Sequence, residues 1–195
     1  VAGTYQDHAG KILNEDLETL RIASKLQPEK MVLCPYIFEM PIAPHIAAEK
    51  LGVHLDLQLM LKTYKQIHNQ AEAVVVEGAG GFLVPLNATE NLSDLAAELH
   101  LPIIMVVGMR LGCINHALLT EEAIKSRHLK LAGWVANSLS SEMPYLEENI
   151  KYLNSKLNAP LLGVIPPLPE ALQKPIHAPY SIDALQYAAQ HLSLP

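Results

Sequence analysis

The stretch "VVVEGAGGFLVP", residues 74–85, decides how the chain is read: three valines run into Glu77, and the next four positions carry nothing larger than alanine. A continuous apolar run bounded by glycines predicts a buried strand over "AVVVE" (73–77) with a carboxylate at its tip. Working outward, three further apolar runs appear: "PIIMVVG" (102–108), "LAGWVAN" (131–137) and "APLLGVIP" (159–166). Between and around them, helical spacing is legible over 14–26, 55–70, 91–100, 114–127, 144–157 and 180–192. Apolar strands alternating with amphipathic helices predict an α/β fold, a three-layer, mostly parallel sheet flanked by helices. With no internal repeat and no linker-like stretch before "IPPLPEALQKPIHAP", one domain over 1–195 is expected.

Composition excludes several classes of function. The chain has 195 residues, half of them hydrophobic, enough for one sizeable core. Net charge is -6 and the 14 Lys and Arg are scattered, so no nucleic-acid partner is expected. Cys34 and Cys113 lie far apart without metal-type spacing, which fits a reduced, cytoplasmic protein. The longest apolar runs are too short to span a bilayer, and "VAGTYQDHAG" lacks a signal-peptide pattern, so no membrane role is expected.

Open α/β sheets bind ligands beyond the carboxyl ends of their strands, so those ends carry the chemistry. At the first, Glu77 followed by Gly78, Ala79, Gly80 and Gly81 has two readings. It is either a magnesium-holding acid beside room for phosphates or a turn with an incidental Glu. Asp16, in "NEDLETL", is by position a helix-start acid, with a second metal ligand as the sharper alternative. In "GMRLGCINHALLT", Gly112, Cys113, Ile114 and Asn115 open a helix whose amides suit an anion; equally, Asn115 is a cap and Cys113 a small buried hydrophobe. Asn137 offers the donor and acceptor that an adenine edge requires, or else it forms a turn. The prolines of "IPPLPE" clamp a planar base or make a rigid loop. The nine histidines show no zinc spacing.

Taken in order and spacing, "VVVEGAGGFLVPL", "LPIIMVVGMRLGCINHALLT", "LAGWVAN" and "APLLGVIP" resemble the dethiobiotin synthetase family, from "VAG" through "CPYIFEMPIAPHIAA" to about Glu170. The resemblance implies a P-loop NTPase-like fold, a homodimer, and conversion of 7,8-diaminononanoate, CO₂ and ATP to dethiobiotin, ADP and phosphate in biotin biosynthesis. The route would run through a carbamate and a carbamic-phosphoric anhydride. It implies that Asp16 and Glu77 hold Mg²⁺, with Glu77 catalytic. Glu77, Gly78, Gly80, Asn137, Pro166, Leu168 and Glu170 would serve the nucleotide. Ala43, Pro44, Ala79, Gly80, Gly112, Cys113, Ile114 and Asn115 would serve the substrate. Ile42 and Ala43 stand where the family commonly has a hydroxyl pair, which puts a polar contact there in doubt.

One departure is larger. The family opens with a strand, a glycine-rich loop ending Gly-Lys-Thr, a helix and a strand, a unit on the order of 30 residues. No G-x-x-x-x-G-K-[ST] occurs in the 195 residues. The chain is therefore expected to be an N-terminally incomplete dethiobiotin synthetase domain, Val1 not its natural start, with little or no activity alone. Two other readings are carried: a non-catalytic dimeric remnant that only binds ligand, and a related P-loop amidoligase.

Overall fold

A computed structural model describes residues 1–6, 9–24, 31–140 and 143–193. Lys25 and Leu26, the end of the first expected helix, and Ser141–Glu142 lie outside the described residues. The contacts divide the chain into two units, Val1–Leu99 with Lys174–Ile182, and His100–Gln173 with Asp183–Pro195.

The second unit holds the sheet. Strands β3 (Ile103–Met109), β4 (Leu131–Ser138) and β5 (Leu161–Ile165) run parallel in the order β3-β4-β5. Helices α5 (Cys113–Ser126) and α6 (Leu146–Lys156) form the two crossovers that parallel strands require. Their inner faces close over Met105, Val107, Trp134, Ala136 and Leu153, with Trp134 0 % exposed. Buried Glu121 of α5 accepts from the Asn158 N–H at 2.8 Å, fixing the turn that leads into β5. Glycine is required at 163, where an added Cβ would strike the His191 carbonyl oxygen. There Ser193, after helix α7 (Ile182–Ala189), donates to the Leu162 carbonyl at 2.8 Å. The α/β fold with a parallel sheet flanked by helices is as the sequence predicts. β3 differs in one respect: Ile104 and Val106 are exposed, so its buried and open positions alternate.

The first unit is assembled from shorter pieces. A two-residue hairpin, β1 (Tyr5–Gln6) with β2 (Ile12–Leu13), precedes α1 (Glu15–Ala23). Helices α2 (Pro44–Lys50), α3 (Leu57–His68) and α4 (Leu92–Leu99) follow. Phe38, Ala47, Ala48, Leu55 and Leu86 make the core of this unit. The expected strand over 73–77 is absent: no ladder forms there, and Val75 is 90 % exposed. An apolar run becomes a strand only when a neighbour takes up its backbone groups, and no described strand of this unit pairs with it. Glu77 therefore stands at the end of an unladdered segment, not at a strand tip.

Candidate active site

Two segments distant in sequence converge on one cavity of the first unit. Asp16, in the first turn of α1, and Glu77, before the glycine turn, both line a space of about 420 Å³ together with Ala43, Pro44, Gly78, Ala79 and Gly80. Local chemistry explains each placement. Asn14 caps α1, its side-chain oxygen accepting from the Leu17 N–H at 3.1 Å, and its amide reaches back to the Gly3 carbonyl at 2.7 Å. The capping explanation for Asp16 thus falls to Asn14, which leaves Asp16 against the cavity. Ala43 precedes α2 as its cap without a side-chain bond, and Pro44 fills the first helical position, where a missing N–H costs nothing. Gly80 has φ +91, a conformation other residues rarely adopt, so the turn after Glu77 depends on it.

Electrostatics single out Glu77. Although its side chain keeps contact with solvent, the protein around it desolvates the carboxyl and raises its pKa above 4.5, and the Asp16 charge raises it further. The two carboxylates repel each other across this cavity, a cost that a cation between them would relieve. Among the described residues no group of three or more His, Cys, Asp or Glu could hold a metal on protein ligands alone. Two acids suit Mg²⁺, which keeps several waters and takes phosphate oxygens for the rest. A second cavity of about 220 Å³, also lined by Asp16, Glu77 and Ala79, is otherwise mostly apolar, with Leu17, Leu20, Val74 and Val76 among its walls.

The remaining predicted site residues fall in the second unit, at the carboxyl end of its sheet. Register places Asn137 of β4 between Gly108 of β3 and Ile165 of β5. Pro166, Leu168 and Glu170 follow β5, with Glu170 opening a short 3-10 turn. Gly112 enters α5 at φ +92 without a side-chain cap. The Cys113 amide is already taken by the Arg110 carbonyl at 3.0 Å and its side chain is buried. Helix geometry leaves the Ile114 and Asn115 amides without an intrahelical acceptor, so an anion at this end would meet those two.

The AAA domain family matches residues 6–174. The ATP-dependent dethiobiotin synthetase BioD of Janthinobacterium sp. (strain Marseille) is 47% identical over 175 residues, which is 87% of this chain and 74% of that protein. The proteins of the same name from Aromatoleum aromaticum and Ralstonia nicotianae are 51% and 47% identical, over 81% and 80% of this chain and 70% and 68% of their own lengths. The chain belongs to the dethiobiotin synthetase family. Its parallel sheet flanked by helices is consistent with that AAA domain match. Sequence reasoning missed Asn14, whose position directly before "EDLE" is a helix-start signature. It also missed the pairing of Glu15 with Lys174, 159 residues apart, for which the sequence carries no local signal. No helix among the described residues is long and apolar enough to cross a membrane.

Proposed function

We propose that the chain is the catalytic body of an ATP-dependent dethiobiotin synthetase. The reaction joins CO₂ to one amine of 7,8-diaminononanoate as a carbamate, whose oxygen attacks the γ-phosphorus of ATP and expels ADP. The second amine then attacks the carbonyl carbon of the resulting anhydride and expels phosphate, closing the ureido ring of dethiobiotin. The observation that carries this reading is that Asp16 and Glu77 line one cavity with the glycine turn, in a chain whose relatives bear that name.

Asp16 and Glu77 are the residues that would hold Mg²⁺, and the ion when bound neutralises phosphate charge. Glu77, desolvated and beside Asp16, carries repulsion that a cation relieves. Gly78, Ala79 and Gly80 keep side chains out of the space that phosphate and diamine need. Ala43 and Pro44 also line the cavity and are nonpolar, so the diamine's alkyl chain would have apolar contact there and no hydroxyl partner from them. Asn137, with both donor and acceptor at the sheet's carboxyl end, reads the adenine, and Pro166, Leu168 and Glu170 border the nucleotide. Ile114 and Asn115 amides, with Gly112 and Cys113 shaping the entry to α5, receive the substrate carboxylate. A homodimer and a cytoplasmic setting complete the proposal.

The test is to assay ADP release by the protein and by its Glu77→Gln variant, each with and without diaminononanoate. Release should require diaminononanoate, and Glu77→Gln should lower it by ~10² to 10³, the worth of one preorganised electrostatic contact. ADP release that ignores diaminononanoate, or undiminished release by Glu77→Gln, would refute the proposal.

A further inference from the structure

Helix α1 poses a mechanical problem. It carries Asp16, yet none of its residues is buried, and its 9 residues fall short of the roughly 12–15 at which an isolated helix is even marginal in water. Its position rests instead on polar links. Asn14 supplies one, at the helix start. A second comes from the far end of the sequence, where residues 174–182 pack into the first unit. The Lys174 ammonium meets the Glu15 carboxylate at 2.6 Å, both groups partly buried, and lies 5.2 Å from the Tyr180 ring centre. The Tyr180 N–H donates to the Thr19 hydroxyl at 3.1 Å, and that hydroxyl donates to the Glu15 carbonyl at 2.8 Å. Further along the segment, His177 stacks on Tyr5 of β1.

These contacts share one stripe of the helix. Glu15 and Thr19 are four residues apart and face the same way, while Asp16 is turned roughly 100° from Glu15 and about 60° from Thr19. A grip on that stripe fixes the helix's rotation about its axis, and with it the direction in which Asp16 points. We propose that Lys174 is a positioning residue of the site: with Tyr180 it clamps the Glu15–Thr19 stripe of α1 and so holds Asp16 at the cavity it shares with Glu77. The functional half of this inference rests on the cation reading above; the clamp itself rests on the contacts alone.

Charge and position predict opposite signs, which makes the inference testable. Removing a lysine leaves the cavity more negative, so charge alone would tighten cation binding; loss of the clamp weakens it. The experiment uses the 195-residue chain with Lys174→Met, Lys174→Arg, and Glu15→Gln combined with Lys174→Met, which removes the pair without changing net charge. Hydrogen exchange of the α1 and Tyr180 amides is followed without metal, and Mn²⁺ affinity by paramagnetic resonance. Lys174→Met should speed exchange in α1 at least ~10-fold while leaving the β4 amides unchanged. It should weaken Mn²⁺ binding about 5-fold, with the charge-balanced pair losing as much and Lys174→Arg restoring both. Unchanged exchange in Lys174→Met overturns the clamp, and tighter Mn²⁺ binding in that variant overturns its role in positioning. Asp16→Asn with undiminished Mn²⁺ affinity would sink the cation reading and the functional half with it, leaving the exchange result to decide the clamp.

Discussion

The two units of the chain hold their candidate site residues in place by different means. In the second, Asn137 sits on a central parallel strand hydrogen-bonded on both sides, backed by Trp134, Ala136 and Leu153, all 0 % exposed. In the first, Asp16 rides on a helix with no buried residue and Glu77 ends a segment in no ladder. One site is set by core packing and the other by caps, an ion pair and a glycine turn. Packing energy is shared over many contacts, so the second unit should fail only as a whole. Polar links are few and separable, so the first should yield locally and early.

The largest effect that would sharpen this contrast is Trp134→Ala. Emptying a fully buried indole site costs about 3–5 kcal/mol in other cores and should lower the denaturant midpoint of the whole second unit as one transition. Among the described residues the Trp134 Nε1–H finds no acceptor, so Trp134→Phe removes an unpartnered donor and should cost much less than alanine. Local loss confined to β4 after Trp134→Ala would break the comparison. A smaller effect is expected from Asn14→Ala. It removes the cap of α1 and the partner of the Gly3 carbonyl, worth about 1–2 kcal/mol. Its signature is spatial: amides from Leu17 to Ala23 should exchange faster while those of β4 do not.

The same contrast explains what could be read in advance. Strands β3, β4 and β5 and helices α5 and α6 were legible within a few residues of their observed bounds, because burial against a shared core imposes period and apolarity on their sequences. The run Val74–Val76 carries the same apolar signal without becoming a strand, since a ladder needs a partner that residue type cannot reveal. The seven-residue α2 and the two-residue strands β1 and β2 are too short to show a period. Asp16 and Glu77 could be named as acids from their places beside a helix start and a glycine turn. The Asn14 cap is local and has a sequence signature, whereas its bond to the Gly3 carbonyl and the Lys174–Glu15 pair depend on side chains brought together by the fold, across 11 and 159 residues.

The finest test concerns the cost of the site to the first unit. Burial chiefly, and Asp16 next, raise the Glu77 pKa above its ordinary 4.5. The folded chain therefore holds this proton more tightly than the unfolded chain between that value and the raised one. Stability falls as pH climbs through that window, and the penalty persists at neutral pH; below it, both states are protonated and the penalty is gone. Glu77→Gln removes the charge while keeping the shape, so without metal it should raise the melting temperature at pH 7, with the gain vanishing as the pH is taken below the carboxylate range. Asp16→Asn should give a lesser gain, because Asp16 is the second cause of the shift and desolvation of Glu77 remains. A Glu77→Gln chain that melts lower than the parent at pH 7 would mean that the carboxylate is a structural anchor. The first unit would then be held at this point by the very group whose raised pKa marks it as a cost.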